Sequence, residues 1–398
     1  MLYTDELPPE LQIQLGRQLI EKGNSLRETG TVALEEALAA YGSAMALIEP
    51  HCDSPTSPFQ DDLASACTNR GIALLGTGIE SDIEEAIHCF DRALKLRSPL
   101  AASGEPMYKY NLAGVWINRG DALSRMGRPP DTAEAIRSYD EAIHAAEGLD
   151  LSIRAEFPRR MALAHLCRGT ALARSTKLES QMDACRSFEA SLAILGAGNA
   201  EECLMAAAAW VGKTEALELQ GHLRQARMCA LRAIEIARPL ESGNRDAILV
   251  GLKSRLALCA CTTRDLLCKD SSTSQKTAAV EAIDYAEDGL RLTLLWPADP
   301  AFAPLTRELF RFGSLAYAVL QPRFLREFLQ EFLPLLGADS DPSYRVIATE
   351  AVNEGISRLV AKGIASAGLA GDDLNSFQEL RRFSEQLGLL GGPPMPKR

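Results

Sequence analysis

The chain has 398 residues, 46% of them apolar and 24% charged, which is the composition of a folded protein and excludes a disordered one. Lys and Arg total 42 against 53 Asp and Glu, and the resulting formal charge of -11 argues against nucleic-acid partners and against docking on an anionic membrane. No apolar run approaches the roughly 18 residues that a membrane helix requires, so membrane insertion is not expected.

The first nine residues, MLYTDELPP, contain no basic stretch followed by an apolar one, so no signal peptide is expected and the cytoplasm is the expected compartment. From about residue 10 the chain repeats itself. Glu36-Ala37 to Ala44, Glu85-Ala86 to Ala93, Glu134-Ala135 to Ala142 and Asp183-Ala184 to Ser191 each carry a small residue, an aromatic four later and a small residue three after that. The aromatics Tyr41, Phe90, Tyr139 and Phe188 are each 49 residues apart. A second motif keeps step: Gly71, Gly120 and Gly169, each leading into Ala and Leu, are also 49 apart, with Gly23 placed 48 before the first. Two weaker copies follow, around Thr214 to Ala233 and from about 245 to Gly289.

Small residues at this spacing lie on one stripe of a helix, where a second helix can approach closely, and the aromatic fills the space beside them. The glycine plays the same part on the facing helix, and its helix-propensity cost of about 1 kcal/mol must be offset by that packing. Neither helix buries its apolar stripe alone, so hairpins must stack. The reading is six helical hairpins, four clear and two degenerate, in an all-α fold with scarce strand signals.

These residues resemble the tetratricopeptide repeat (TPR) family. Gly23, Gly71, Gly120 and Gly169 match the family's first-helix glycine, and Ala37, Ala86, Ala135 and Ala184 match its second-helix alanine. Asn69-Arg70-Gly71 and Asn118-Arg119-Gly120 look like a common form of the first helix, and Pro50, Pro99 and Pro239 stand where the family's proline ends the second helix. The family unit is 34 residues and this one is 49. Part of the excess falls in first helices long enough for about 20 residues, at 106 to 126 and 154 to 174. The resemblance implies a right-handed α-solenoid over residues 1 to 296.

After Trp296-Pro297 the motif disappears and eight of the 12 Phe residues follow position 300. Helices are predicted at about 303 to 320, 322 to 336, 342 to 363 and 372 to 388, with Asp341-Pro342 as a start signal. Phe324, Phe328 and Phe332 follow i, i+4 spacing, as expected of a helical cap over 297 to 390 or of a self-association face. Residues 391 to 398 are expected to be disordered.

No catalytic constellation is legible, and no metal or other cofactor is implied. Gly212-Lys213-Thr214 lacks the earlier glycine and preceding strand of a phosphate loop, since position 207 is Ala. The five histidines show no ligand spacing, and the ten cysteines form no Cys-x-x-Cys pair, so buried reduced thiols are expected. Trp116-x-x-Arg119 resembles an element of prenyltransferase α-subunit repeats but does not recur in neighbouring copies.

What the family resemblance implies is a concave groove lined by first helices. Its wall maps onto Asn24, Arg27, Asn69, Asn118, Asp121, Arg125, Thr170 and Arg174, with Glu215 and Glu218 in the fifth copy. The asparagines could pair with an extended peptide backbone, and the arginines could receive carboxylates of an acidic partner. The expected function is a non-catalytic scaffold binding a peptide or helical segment of another protein. The alternatives are a self-associating assembly protein using the C-terminal aromatic helices, or a ligand- or peptide-sensing regulator.

Overall fold

The computed structural model describes residues 7 to 386 apart from 31–32, 55–56, 58, 151, 153, 155, 196–197, 267–272, 297–298, 321, 337–340 and 366–370. Cys268 and the 391 to 398 tail lie outside the described residues. The described residues form sixteen α-helices and no strand. The chain divides into two compact units, Met1–Ala197 and Gly198–Arg398.

Unit 1 is four hairpins: α1 (Pro9–Glu28) with α2 (Leu34–Ile48), α3 (Phe59–Leu75) with α4 (Glu80–Ala101), α5 (Pro106–Met126) with α6 (Pro129–Ala145), and α7 (Glu156–Ala173) with α8 (Leu178–Ile194). The boundaries follow local signals. Pro106 opens α5 and Pro129 opens α6, where no helical N–H partner is needed, and Gly127 between them takes the left-handed conformation at φ +71°. α5 runs 21 residues and α7 runs 18, as the long spacing requires. One proline departs from expectation. Pro50 lies in a short 3-10 turn after α2, but Pro99 sits inside α4, which continues to Ala101. Only one carbonyl loses its partner so close to a helix end, and the Ser98 hydroxyl caps the neighbouring Leu94 carbonyl at 2.7 Å.

Within each hairpin the glycine meets the aromatic. A Cβ built at Gly23 would stand 2.6 Å from the Tyr41 ring, at Gly71 2.6 Å from Phe90, at Gly120 2.5 Å from Tyr139 and at Gly169 2.7 Å from Phe188. All four rings are buried, as are the small residues flanking them. The same relation, recurring every 49 residues, is what closes each hairpin.

A ladder of arginines joins successive hairpins. Arg119 donates Nε to Asp91 of α4 at 2.7 Å and Nη1 to Ser138 of its own α6 at 2.8 Å. Arg168 repeats this with Asp140 of α6 at 2.5 Å and Ser187 of α8 at 2.7 Å. Arg70, whose preceding repeat offers Gly42 at the aspartate position, instead pairs with Glu85 at 2.5 Å and approaches the Cys89 sulfur at 3.6 Å.

Unit 2 begins with two further hairpins, α9 (Ala200–Leu219) with α10 (Leu223–Ala237) and α11 (Arg245–Leu266) with α12 (Thr273–Thr293). The Asn199 side chain caps α9 by accepting from the Glu202 N–H at 3.0 Å. Pro239 again falls in a 3-10 turn. The C-terminal helices are α13 (Ala303–Leu320), α14 (Pro322–Leu335), α15 (Ser343–Ala365) and α16 (Gly371–Gln386), each within two residues of the predicted limits. Asp341 starts α15 by accepting from the Ser343 N–H at 2.9 Å. One apolar core holds Ile248 and Leu252 of α11, Leu290 of α12, Phe310, Phe328, Phe332, Tyr344, Phe377 and Phe383. The aromatic helices therefore cap the last hairpin, and of the three phenylalanines spaced along α14 only Phe324 is exposed, at 40%. Beside this core Arg255, 1% exposed, is held by Glu241 at 2.6 Å and Asp288 at 2.7 Å.

Candidate functional site

The eight residues mapped to the groove wall all lie on the first helices of unit 1. They are accessible or half-buried, and the structure gives them different partners. Asn24 accepts the Tyr41 hydroxyl proton at 2.9 Å, and Asp121 accepts that of Tyr139 at 2.9 Å. Arg27 also neighbours the Tyr41 hydroxyl, and its Nε is buried without a hydrogen-bond partner. The Thr170 hydroxyl returns to its own helix, donating to the Leu166 carbonyl at 2.9 Å.

Arg125 and Arg174 reach the preceding repeat. Arg125 Nη1 donates to the Leu75 carbonyl of α3 at 2.9 Å, and Arg174 Nη1 donates to the Ser124 carbonyl of α5 at 2.7 Å. Both carbonyls lie in the last turn of a helix, where no intrahelical N–H is left to bond them and a cation also faces the negative end of the helix dipole. The two arginines, 49 residues apart, are thus matched caps between neighbouring first helices, each with guanidinium donors to spare.

Asn69 and Asn118 are the half-buried pair whose amides make no side-chain hydrogen bond among the described residues. They stand 49 residues apart on α3 and α5, one repeat step.

Burial shifts several titratable groups on the first helices. Asp121 is reached by solvent, yet burial pushes its carboxyl above the usual range, opposed by the Tyr139 hydroxyl, the charge of Arg125 and the Cys167 thiol. Burial likewise pushes the half-buried Cys167 thiol well up. In unit 2, exposed Glu215 is raised by the same cause, with Lys253 opposing. Glu218 of α9 accepts from the Cys261 thiol at 2.7 Å.

Among the described residues no group of His, Cys, Asp and Glu could hold a metal, and no helix is long and apolar enough to cross a membrane. The described cysteines form no disulfide with one another. Thr214 of the Gly-Lys-Thr segment is buried in mid-helix α9, donating to the Trp210 carbonyl at 2.8 Å. Arg168 escaped sequence analysis because its copy reads Cys-Arg-Gly where the two before it read Asn-Arg-Gly.

No protein-family model matches the chain, and no curated protein does. Among solved structures it is similar to the TPR2AB-domain–pHSP90 complex of yeast Sti1, at 15% identity over 76% of this chain and 98% of that one, with a TM-score of 0.24. It is also similar to the P58(IPK) TPR domain, at 12% identity over 93% of this chain and 98% of that one, with a TM-score of 0.19. The deciding observation is internal: four glycines pressed against four rings in consecutive hairpins. The repeat is tetratricopeptide-like. In this TPR-like array the first-helix arginines Arg70, Arg119 and Arg168 are engaged within and between hairpins.

Proposed function

We propose that the protein is a non-catalytic interaction scaffold that grips a segment of another protein along the first-helix face of unit 1. The observation that carries this reading is the pair Asn69 and Asn118, half-buried in successive repeats with unspent amides. Each amide offers both a donor and an acceptor, so a pair one repeat apart can hold the backbone of an extended or helical segment with little demand on its sequence. Described cysteines that form no disulfide with one another suit action in the reducing cytoplasm.

Arg125 and Arg174 take a smaller part in this reading than the family positions imply. One donor of each is committed to a carbonyl, so an acidic residue of the partner would meet only the outer edge of the guanidinium.

The test is affinity capture from lysate of the source organism with wild type and Asn69→Ala/Asn118→Ala, read by quantitative mass spectrometry. A partner depleted at least about tenfold by the double variant, the value of roughly two lost hydrogen bonds, supports the groove. Equal recovery of every partner removes it.

A further inference from the structure

Several buried or half-buried arginines of unit 1 hold a carboxylate, whereas Arg27 does not. Arg70 holds Glu85, Arg97 holds Asp61, Arg119 holds Asp91 and Arg168 holds Asp140. Arg160 of α7 is half-buried and holds no carboxylate among the described residues. Its guanidinium lies over the Tyr110 ring, 3.7 Å from the centroid, and Nη1 donates to the Tyr110 carbonyl at 3.1 Å. Tyr110 is itself fixed from the side by Phe157, the rings stacked at 4.7 Å. Gly114 leaves the space the guanidinium fills, since a Cβ there would overlap it.

The surrounding charges do not supply what is missing. Glu156, one turn back on the same helix, pairs with Arg154 at 3.3 Å. Arg97 and Arg159 add positive charge nearby, and burial together with these cations pushes the Arg160 guanidinium below its ordinary value. None of its side-chain nitrogens is fully buried without a hydrogen-bond partner. A cation held rigid, partly desolvated and without a counter-charge is costly to keep.

We propose that Arg160 is the receiving cation of a subsite for a compact oxyanion, the carboxylate or phosphate of a small ligand, on the stretch of first helix that precedes the TPR-like core. The Tyr110 ring and carbonyl hold one edge of the fork, and the free edge presents paired N–H donors to two oxygens. The subsite stands independently of Asn69 and Asn118.

The test is thermal unfolding of the full chain against rising sodium phosphate or sodium acetate, at ionic strength matched with sodium chloride. For wild type, at least one of the two anions gives a saturable rise in Tm of about 3 °C, and which anion does so identifies the group bound. Arg160→Met shows no saturable rise with either anion. Arg160→Lys keeps charge without the fork and needs about tenfold more anion for the same rise, which serves should the methionine variant not fold. Three results overturn the proposal: no rise beyond chloride in wild type, the same rise in Arg160→Met, or an undiminished response in Arg160→Lys.

Discussion

The Tyr139 hydroxyl donates to the Asp121 carboxylate at 2.9 Å, and in repeat one Tyr41 donates to Asn24 at the same 2.9 Å. Where the ring is Phe90 or Phe188 instead, the facing residue is Ile72 or Thr170, and Thr170 satisfies itself within its own helix. The hydroxyl and its acceptor therefore come and go together. This position follows the ring behind it, and repeat one shows that the hydrogen bond needs no charge.

That comparison gives the first prediction. Asp121 is raised above the usual carboxylate range chiefly by burial, so the folded state favours its protonated form. The stability this contributes is complete at low pH and is lost as pH rises through the raised value. Asp121→Asn should therefore be more stable than wild type at pH 7, with Tm higher by about 2 °C, and the two should converge below about pH 4. Urea unfolding across a pH series reads this directly. A variant less stable at pH 7 would mean that Arg125 outweighs desolvation.

The glycine–ring contact gives the second. Alanine is the better helix former by about 1 kcal/mol, but its Cβ at Gly120 would enter the Tyr139 ring. Overpacking should win: Gly120→Ala is expected to lose about 1–3 kcal/mol, and Gly71→Ala the same against Phe90. Combining Gly71→Ala with Phe90→Leu should recover part of the loss, because the smaller side chain yields the space. Denaturant midpoints of the single and double variants decide it, and a stabilised Gly71→Ala would refute the contact.

Arg119 carries the third. Its guanidinium is partly buried and serves two second helices at once, Asp91 of α4 and Ser138 of α6. Arg119→Ala should cost about 2 kcal/mol, and a double-mutant cycle with Asp91→Ala should show coupling of at least about 0.5 kcal/mol. Arg137, an exposed arginine on α6 paired within its own helix to Glu134, should cost less than about 0.5 kcal/mol when changed to Ala.

The hairpins, their 49-residue step and the limits of α13 to α16 were legible in sequence because each rests on side-chain periodicity: small residues where helices touch, phenylalanines where a core closes. The destinations of Arg125 and Arg174 were not. Spacing places both on one face of successive first helices, but the groups they bond are main-chain carbonyls, which every residue carries and no pattern marks. Arg160 was hidden for a related reason. Its significance is the absence of a carboxylate that Arg70, Arg97, Arg119 and Arg168 possess, and only folded neighbours reveal that. Pro99 misled because a proline two residues from a helix end removes one hydrogen bond without stopping the helix.

The buried cluster of unit 2 gives the last prediction. Arg255 is enclosed with Glu241, itself 5% exposed, while Asp288 on the other side remains in contact with water and also with Arg238 at 3.1 Å. Removing the cation therefore strands Glu241 far more than Asp288. Arg255→Met should lose about 3–5 kcal/mol at neutral pH, the cost of an uncompensated buried charge and not of lost volume. In that variant Glu241 would stay buried with no cation beside it. Glu241→Gln placed on top of Arg255→Met should restore most of the loss, since the amide keeps the shape and drops the charge. Urea unfolding of both variants separates the causes: a loss that Glu241→Gln does not repair would show that Arg255 acts by packing alone.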